Sequence, residues 1–211
     1  TSTDATARCG EAMVSIRRAV EAPRVRRVDV LVLATGSATS GEPDVLVPWT
    51  TFAPSRNLHA TLASKARMRE AFLVSVYRAC GQRIRAKDAS PVYEGVARAL
   101  ASISARCAEL EKTKTPCESR VLHVASDLRS NFGAFGRALA PKRGKKSKRA
   151  KLPPALDADG VDVSICGYSN TVGGDGLATD DVLAAWREVL GDGVAFAPSC
   201  EIDRIAQGTS Q

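Results

Sequence analysis

Residues 28–40 read VDVLVLATGSATS. From Val28 to Ala34 every residue but Asp29 is apolar, the run is rich in β-branched side chains, and a Thr/Gly/Ser cluster closes it. A near-continuous apolar run of this length is the pattern of a central strand covered on both faces, as in a parallel sheet. Two later stretches share the pattern: VLHVA at 121–125, ending in Ser126-Asp127, and VDVSICG at 161–167. Val45 to Val47 read as a short strand before Pro48, residues 83–86 as another, and 193–197 as a closing edge strand.

Helical patterns lie between these runs. Cys9, Met13, Ile16 and Val20 fall on one stripe, with Asp4 placed to cap it and Pro23 to end it. Residues 57–80 carry Leu62, Ala66, Phe72, Leu73 and Val76 at helical spacing. Val92, Val96, Leu100, Ile103, Cys107 and Leu110 form the cleanest stripe, opposite a polar face of Glu94, Arg98, Ser102 and Glu109. Ser90 is placed as its N-cap and Pro91 at its first position, where a missing N–H costs nothing. Thr179 is placed to cap a last helix on Val182, Trp186 and Val189, with Asp180 and Asp181 in its first turn. Strands alternating with helices predict an α/β fold, with a mostly parallel central sheet and helices on both faces in a three-layer sandwich. The expected organisation is an N-terminal helix over 1–24, one α/β domain over 25–198 with a basic insertion at about 141–154, and a tail over 199–211.

At 211 residues, a chain of this size buries about 70% of its unfolded surface and needs no staples to fold. Hydrophobic residues at 44% and charged residues at 25% exclude a disordered, collagen-like or coiled-coil protein. No apolar run approaches the length of a membrane span. The net charge of +7 is concentrated in KRGKKSKRAK at 142–151, where Lys142, Arg143, Lys145, Lys146, Lys148, Arg149 and Lys151 meet no acid. The remainder of the chain is neutral overall, so attraction to a polyanion belongs to this segment and not to a basic domain face. The alternative is a solvated insertion that keeps the protein soluble.

The six cysteines include no CxxC pair and only two histidines accompany them, which argues against structural zinc. Cys80, Cys107 and Cys166 fall on apolar faces and read as buried reduced thiols, although Cys107 and Cys117 flank a helix end and could bridge in an oxidising compartment. The chain begins at Thr1, compatible with a cleaved export signal or a trimmed start, and compartment stays open with the cytoplasm slightly favoured.

Ligands of open parallel sheets bind beyond the carboxyl ends of the strands. Three segments point there: residues 35–40 (TGSATS), Ser90 before the long helix, and Ser126-Asp127. Hydroxyls with one carboxylate are hard oxygen donors suited to Mg²⁺, Mn²⁺ or Ca²⁺, and equally are ordinary turn and cap residues. Catalytic sets are missing. His123 sits within an apolar strand and reads as a satisfied buried histidine, and the Gly36–Gly41 loop lacks both the P-loop and the dinucleotide fingerprint.

VDVLVLA with TGSAT, then DASPVYEGVARAL, then VLHVASD, in this order and strand context, resembles the von Willebrand factor type A domain. VDVSICGYSN followed by a helix with Trp186 and a closing strand is similar to bacterial members, so the resemblance covers about 26–198. It implies a metal-ion-dependent adhesion site at the top of the sheet, with Ser37 and Thr39 matching the first-loop hydroxyls, Ser90 the second-loop Thr and Asp127 the third-loop Asp. Thr35 stands where the family has its first Asp. The loss of that carboxylate makes the implied site degenerate, holding no cofactor or at most weak Mg²⁺. The resemblance implies a non-catalytic, protein-binding adaptor in a larger bacterial assembly, with Thr35, Ser40, Asp88 and Arg129 on the partner-binding rim. The alternative expectation is a nucleic-acid-associated accessory protein that touches polyanion through 142–151.

Overall fold

The computed structural model of the chain describes residues 2–22, 26–34, 43–54, 61–83, 91–126, 128, 133–140, 151–168 and 178–198. The protein is mixed α/β, and the chain divides into two compact units: Thr1–Ala34 with Asp44–Ala86, and Thr35–Pro43 with Lys87–Gln211.

The first unit contains α1 (Ser2–Glu21), β1 (Val28–Ala34), β2 (Asp44–Phe52) and α2 (Leu62–Arg83). β1 pairs with β2, and the pairing is antiparallel, not the parallel arrangement expected for residues 28–34. Val28, Val30, Val32 and Ala34 alternate onto one face, where Val30 joins Leu46, Val47, Val76 and Cys80 in a buried cluster. Met13 and Ile16 of α1 pack on that cluster and on a second one of Val20, Phe52 and Leu73, as their stripe predicts. Phe52 is thereby a core residue, its ring 5.4 Å from that of Phe72. On the other face Asp29 is held across the pair. Thr51 Oγ1 donates to its carboxylate at 2.7 Å and Arg27 Nε at 2.8 Å.

Several local expectations differ here. α1 starts at Ser2, so Asp4 lies inside the helix and does not cap it. β2 continues past Pro48, because the pairing steps from Val30–Thr50 to Val32–Val47 and puts the proline in an irregular stretch where no ladder N–H is required. α2 runs on through Arg83, where a strand was expected to begin, and Leu62 is 85% exposed.

The second unit contains α3 (Val92–Lys112), β3 (Val121–Ala125), α4 (Gly133–Leu139), β4 (Asp162–Cys166), α5 (Thr179–Leu190) and β5 (Ala195–Ala197). The sheet order is β3-β4-β5, wholly parallel and without a register shift. Leu122, Val124, Val163, Ile165 and Phe196 turn to one face and meet Val92, Val96 and Leu100 of α3, Phe135 and Leu139 of α4, and Val182, Trp186 and Val189 of α5. Among the described residues of this unit the helices therefore cover one sheet face. The other carries Val121, which is 61% exposed, with His123, Ser164 and Cys166.

Pro91 occupies the N-cap position of α3, one residue later than expected, and Ala178 that of α5, so Thr179 is a helical residue and makes no cap. α4 is an element that the Gly-rich text GAFGRAL conceals. After the basic run the chain crosses back over the core, with Leu152 and Leu156 packed on it. Tyr93 Oη donates to the Pro154 carbonyl at 2.8 Å and the Leu156 N–H to that of Val189 at 2.7 Å.

Reduced thiols are corrected to disulfides. Cys107 and Cys117 are bridged across the turn that ends α3, and Cys80 and Cys166 are each disulfide-bonded. No described helix is long and apolar enough to cross a membrane.

Candidate functional site

The first turn of α3 lies beside α4, with Glu94 against Gly133 and Tyr93 stacked on Phe135, and Phe135 in turn meets Trp186, whose indole bonds to Leu128 just beyond β3. Three contacts organise this edge. The Ser126 N–H donates to the Cys166 carbonyl at 2.9 Å, carrying the β3–β4 pairing one residue beyond β3. Leu128 then adopts φ 62°, a left-handed conformation costing a leucine roughly 1–2 kcal/mol. Its N–H donates to Ser126 Oγ at 3.1 Å, and its carbonyl accepts the Trp186 indole N–H at 3.1 Å. Both Leu128 and Trp186 are fully buried, so apolar burial and two hydrogen bonds hold the turn against its backbone cost.

Trp186 continues the support inward. Its ring centroid is 4.6 Å from that of Phe135, which stacks on Tyr93 at 5.4 Å. Burial first, and the charge of Glu94 second, push the Tyr93 phenol above its ordinary range, so it stays protonated and donates to Pro154. Glu94 is not on a solvent face as its helical position suggests. Its carboxylate packs against Gly133, and its buried Oε2 has no hydrogen-bond partner among the described residues. Gly133 has φ 64° and a β-carbon there would overlap that carboxylate, so both backbone and space require glycine.

A second polar cluster lies on the sheet face away from the helices. His123 and Ser164 are cross-strand partners, and Cys166 follows two residues further along β4. His123 Nδ1 is 2.9 Å from Ser164 Oγ, and Nε2 is 3.3 Å from Cys166 Sγ. A disulfide sulfur carries no proton. Nε2–H must therefore be the donor to Cys166, leaving Nδ1 to accept the Ser164 O–H. Burial lowers the His123 pKa from its ordinary 6.5, which favours this neutral tautomer.

No protein-family model matches the chain, and no curated protein or solved structure matches it.

Of the site residues expected from the sequence, Thr35, Ser37, Thr39, Ser40, Asp88, Ser90, Asp127 and Arg129 lie outside the described residues, as do Lys142, Arg143, Lys145, Lys146, Lys148 and Arg149. Lys151 is described and exposed. Among the described residues no group of three or more His, Cys, Asp or Glu side chains could hold a metal ion. Sequence reading missed the roles of Leu128, Glu94 and Gly133 at the edge. Only the glycine carries a signal of its own, as the opening residue of a helix it could not otherwise favour.

Proposed function

We propose that this protein is a non-catalytic protein–protein interaction module of the von Willebrand factor type A kind, metal-independent or weakly metal-dependent, and an adaptor within a larger bacterial assembly. In this reading the partner is bound at the carboxyl edge of the parallel sheet β3-β4-β5. The observation that carries the reading is the preset turn at Ser126–Leu128, with a buried leucine in a left-handed conformation at the carboxyl end of a parallel strand. Backbone strain retained at such an edge is characteristic of binding sites. Asp127, which lies between Ser126 and Leu128 in sequence, is the carboxylate that the resemblance assigns to the rim. The disulfides support a working place in an oxidising compartment.

Calorimetric titration of the protein and of Asp127→Ala with Mg²⁺, Mn²⁺ and Ca²⁺ tests the metal side of this reading. Heat absent or weak in the parent and lost in the variant is expected. Tight binding that survives Asp127→Ala removes the proposed site. On the partner side, a protein retained equally by the parent and by Ser37→Ala/Asp127→Ala is not bound at this rim.

The basic run supports a second reading, contact with nucleic acid or another polyanion. Seven positive charges within ten residues, beside an otherwise neutral chain, give binding that falls steeply with salt. Removal of 142–151 abolishes RNA and DNA binding in that case, and binding that persists without the segment ends this alternative.

A further inference from the structure

α2 carries apolar side chains on two opposite sides, and only one of them is packed. Leu73, Val76 and Cys80 are buried in the core clusters of the first unit. Turned away from them, Val74 is 49%, Tyr77 43% and Met68 38% exposed, with Ala71 also exposed. A helix that is apolar all round is ordinarily covered all round. Met68, Ala71, Val74 and Tyr77 follow one another in steps of three, which makes them one ridge about 14 Å long with a small residue inside it. A ridge of this kind fits the groove between the fourth-neighbour rows of a second helix, at a crossing angle of about 20°. The Ser75 hydroxyl beside it is turned back on its own helix, donating to the Phe72 carbonyl at 2.7 Å.

Charge identifies the occupant. α2 holds Lys65, Arg67, Arg69, Arg78 and Arg83 but a single acid, Glu70, and Arg17 pairs with that acid at 2.7 Å. Arg67 and Arg78 are exposed and make no ion pair among the described residues. At about 100° and 1.5 Å per residue they share one side of the helix, roughly 16 Å apart, one beyond each end of the ridge. We infer that the outer face of α2 is a docking surface for an acidic amphipathic helix of a protein partner, whose apolar stripe covers the Met68–Tyr77 ridge and whose carboxylates meet Arg67 and Arg78.

A second copy of the chain is the poorer match. Two-fold pairing about the middle of the ridge sets Arg67 of each copy against Arg78 of the other, a juxtaposition of like charges. An anionic lipid surface is also the poorer match. A helix lying in a membrane interface keeps its cations on the side away from the acyl chains, whereas Arg67 and Arg78 stand on the same side as Ala71 and Val74. α2 belongs to the first compact unit and the β3-β4-β5 edge to the second, so the inference does not rest on the rim reading.

The test uses the full chain and three synthetic amphipathic helices that share one leucine stripe and carry Glu, Gln or Lys at two flanking positions eleven residues apart. Fluorescence anisotropy should rank their binding Glu, then Gln, then Lys. Arg67→Glu/Arg78→Glu should weaken the Glu helix about tenfold and bind the Lys helix instead, a swap that apolar adhesion alone does not produce. Val74→Asp should weaken all three about tenfold by breaking the ridge. All three positions are exposed, so the variants should keep the parent's melting curve. If Val74→Asp fails to fold, the charge swap decides. Binding of none of the helices at millimolar concentration, or equal binding of the Glu and Lys helices, overturns the inference. Co-sedimentation with phosphatidylserine–phosphatidylcholine vesicles that is lost in Val74→Asp makes the face a lipid contact and overturns it as well. Dimerisation in analytical ultracentrifugation that is lost in Val74→Asp assigns the face to a second copy, with the same consequence. The peptide titration needs no metal and no rim partner, so a failed rim reading leaves its result standing.

Discussion

The two sheets of this protein solve the same problem with different degrees of order. β3, β4 and β5 pair in parallel without a register shift, and their alternate residues feed one continuous core with three helices. β1 and β2 pair antiparallel, slip twice along their length, accommodate Pro48, and divide their apolar residues between two smaller clusters. The difference shows what strand text alone conveys. Val28–Ala34 is the most apolar of the strands, yet its apolar content specifies burial and not partner direction. Direction follows from the connection: a short link allows antiparallel pairing, whereas a parallel neighbour requires a crossover such as α4 with its return segment, or α5.

The sharpest way to break this contrast is Trp186→Ala. It empties the centre of the ordered unit and removes the donor to Leu128, costing about 3–5 kcal/mol. Urea melts followed by amide exchange should show lost protection in β3–β5 with β1–β2 retained. Equal loss in both sheets would mean that they unfold together. Next in size, Cys107→Ser/Cys117→Ser opens a covalent loop with a sequence separation of 10, costing roughly 2–3 kcal/mol. Its effect should again appear in the parallel sheet, as a lower urea midpoint. Gly133→Ala forces alanine into a left-handed backbone and against Glu94, costing roughly 1–2 kcal/mol. Adding Glu94→Ala should return only the steric part, because the backbone penalty stays.

The smallest effect is the response to acid. His123 titrates below its ordinary 6.5 in the folded protein, so the unfolded chain binds the proton first as pH falls. Its contribution is therefore complete above 6.5 and is lost as pH falls towards the folded value, at no more than about 1.4 kcal/mol per pH unit. Melting temperatures of the parent should fall over this window, and those of His123→Gln should be flatter. Identical slopes would show that His123 is not held neutral.

Legibility in the sequence followed periodicity. The stripes Met13–Ile16–Val20 and Val92–Val96–Leu100 were readable because a helix buries every third or fourth residue, and all six side chains are packed where that rule puts them. The three strands of the parallel sheet were readable from their apolar runs. α4 was not, because Gly133 and Gly136 lower helix propensity while Phe135 and Leu139 alone signal its buried side. The cap positions slipped by a residue because Ser90 and Thr179 are good cap types wherever the helix starts. The sequence names Ser37, Thr39, Ser90 and Asp127 for the candidate edge, which lie outside the described residues, and it does not name the described residues that support the edge. Leu128 and Trp186 lie 58 residues apart, and nothing local in either announces a backbone carbonyl bonded to an indole. Cys166 and His123 meet only through β3–β4 register, which sequence does not disclose.

The anchoring on both sides of residues 141–150 has a practical corollary. Leu139 is buried before the basic run, while Leu152 and Leu156 pack on the same core after it and Leu156 bonds to Val189. Each flank has its own grip, so continuity of the peptide between them is dispensable once folding is complete. A chain cut anywhere between Leu139 and Leu152 is thus expected to stay assembled until denatured, each fragment held by its own contacts with the core.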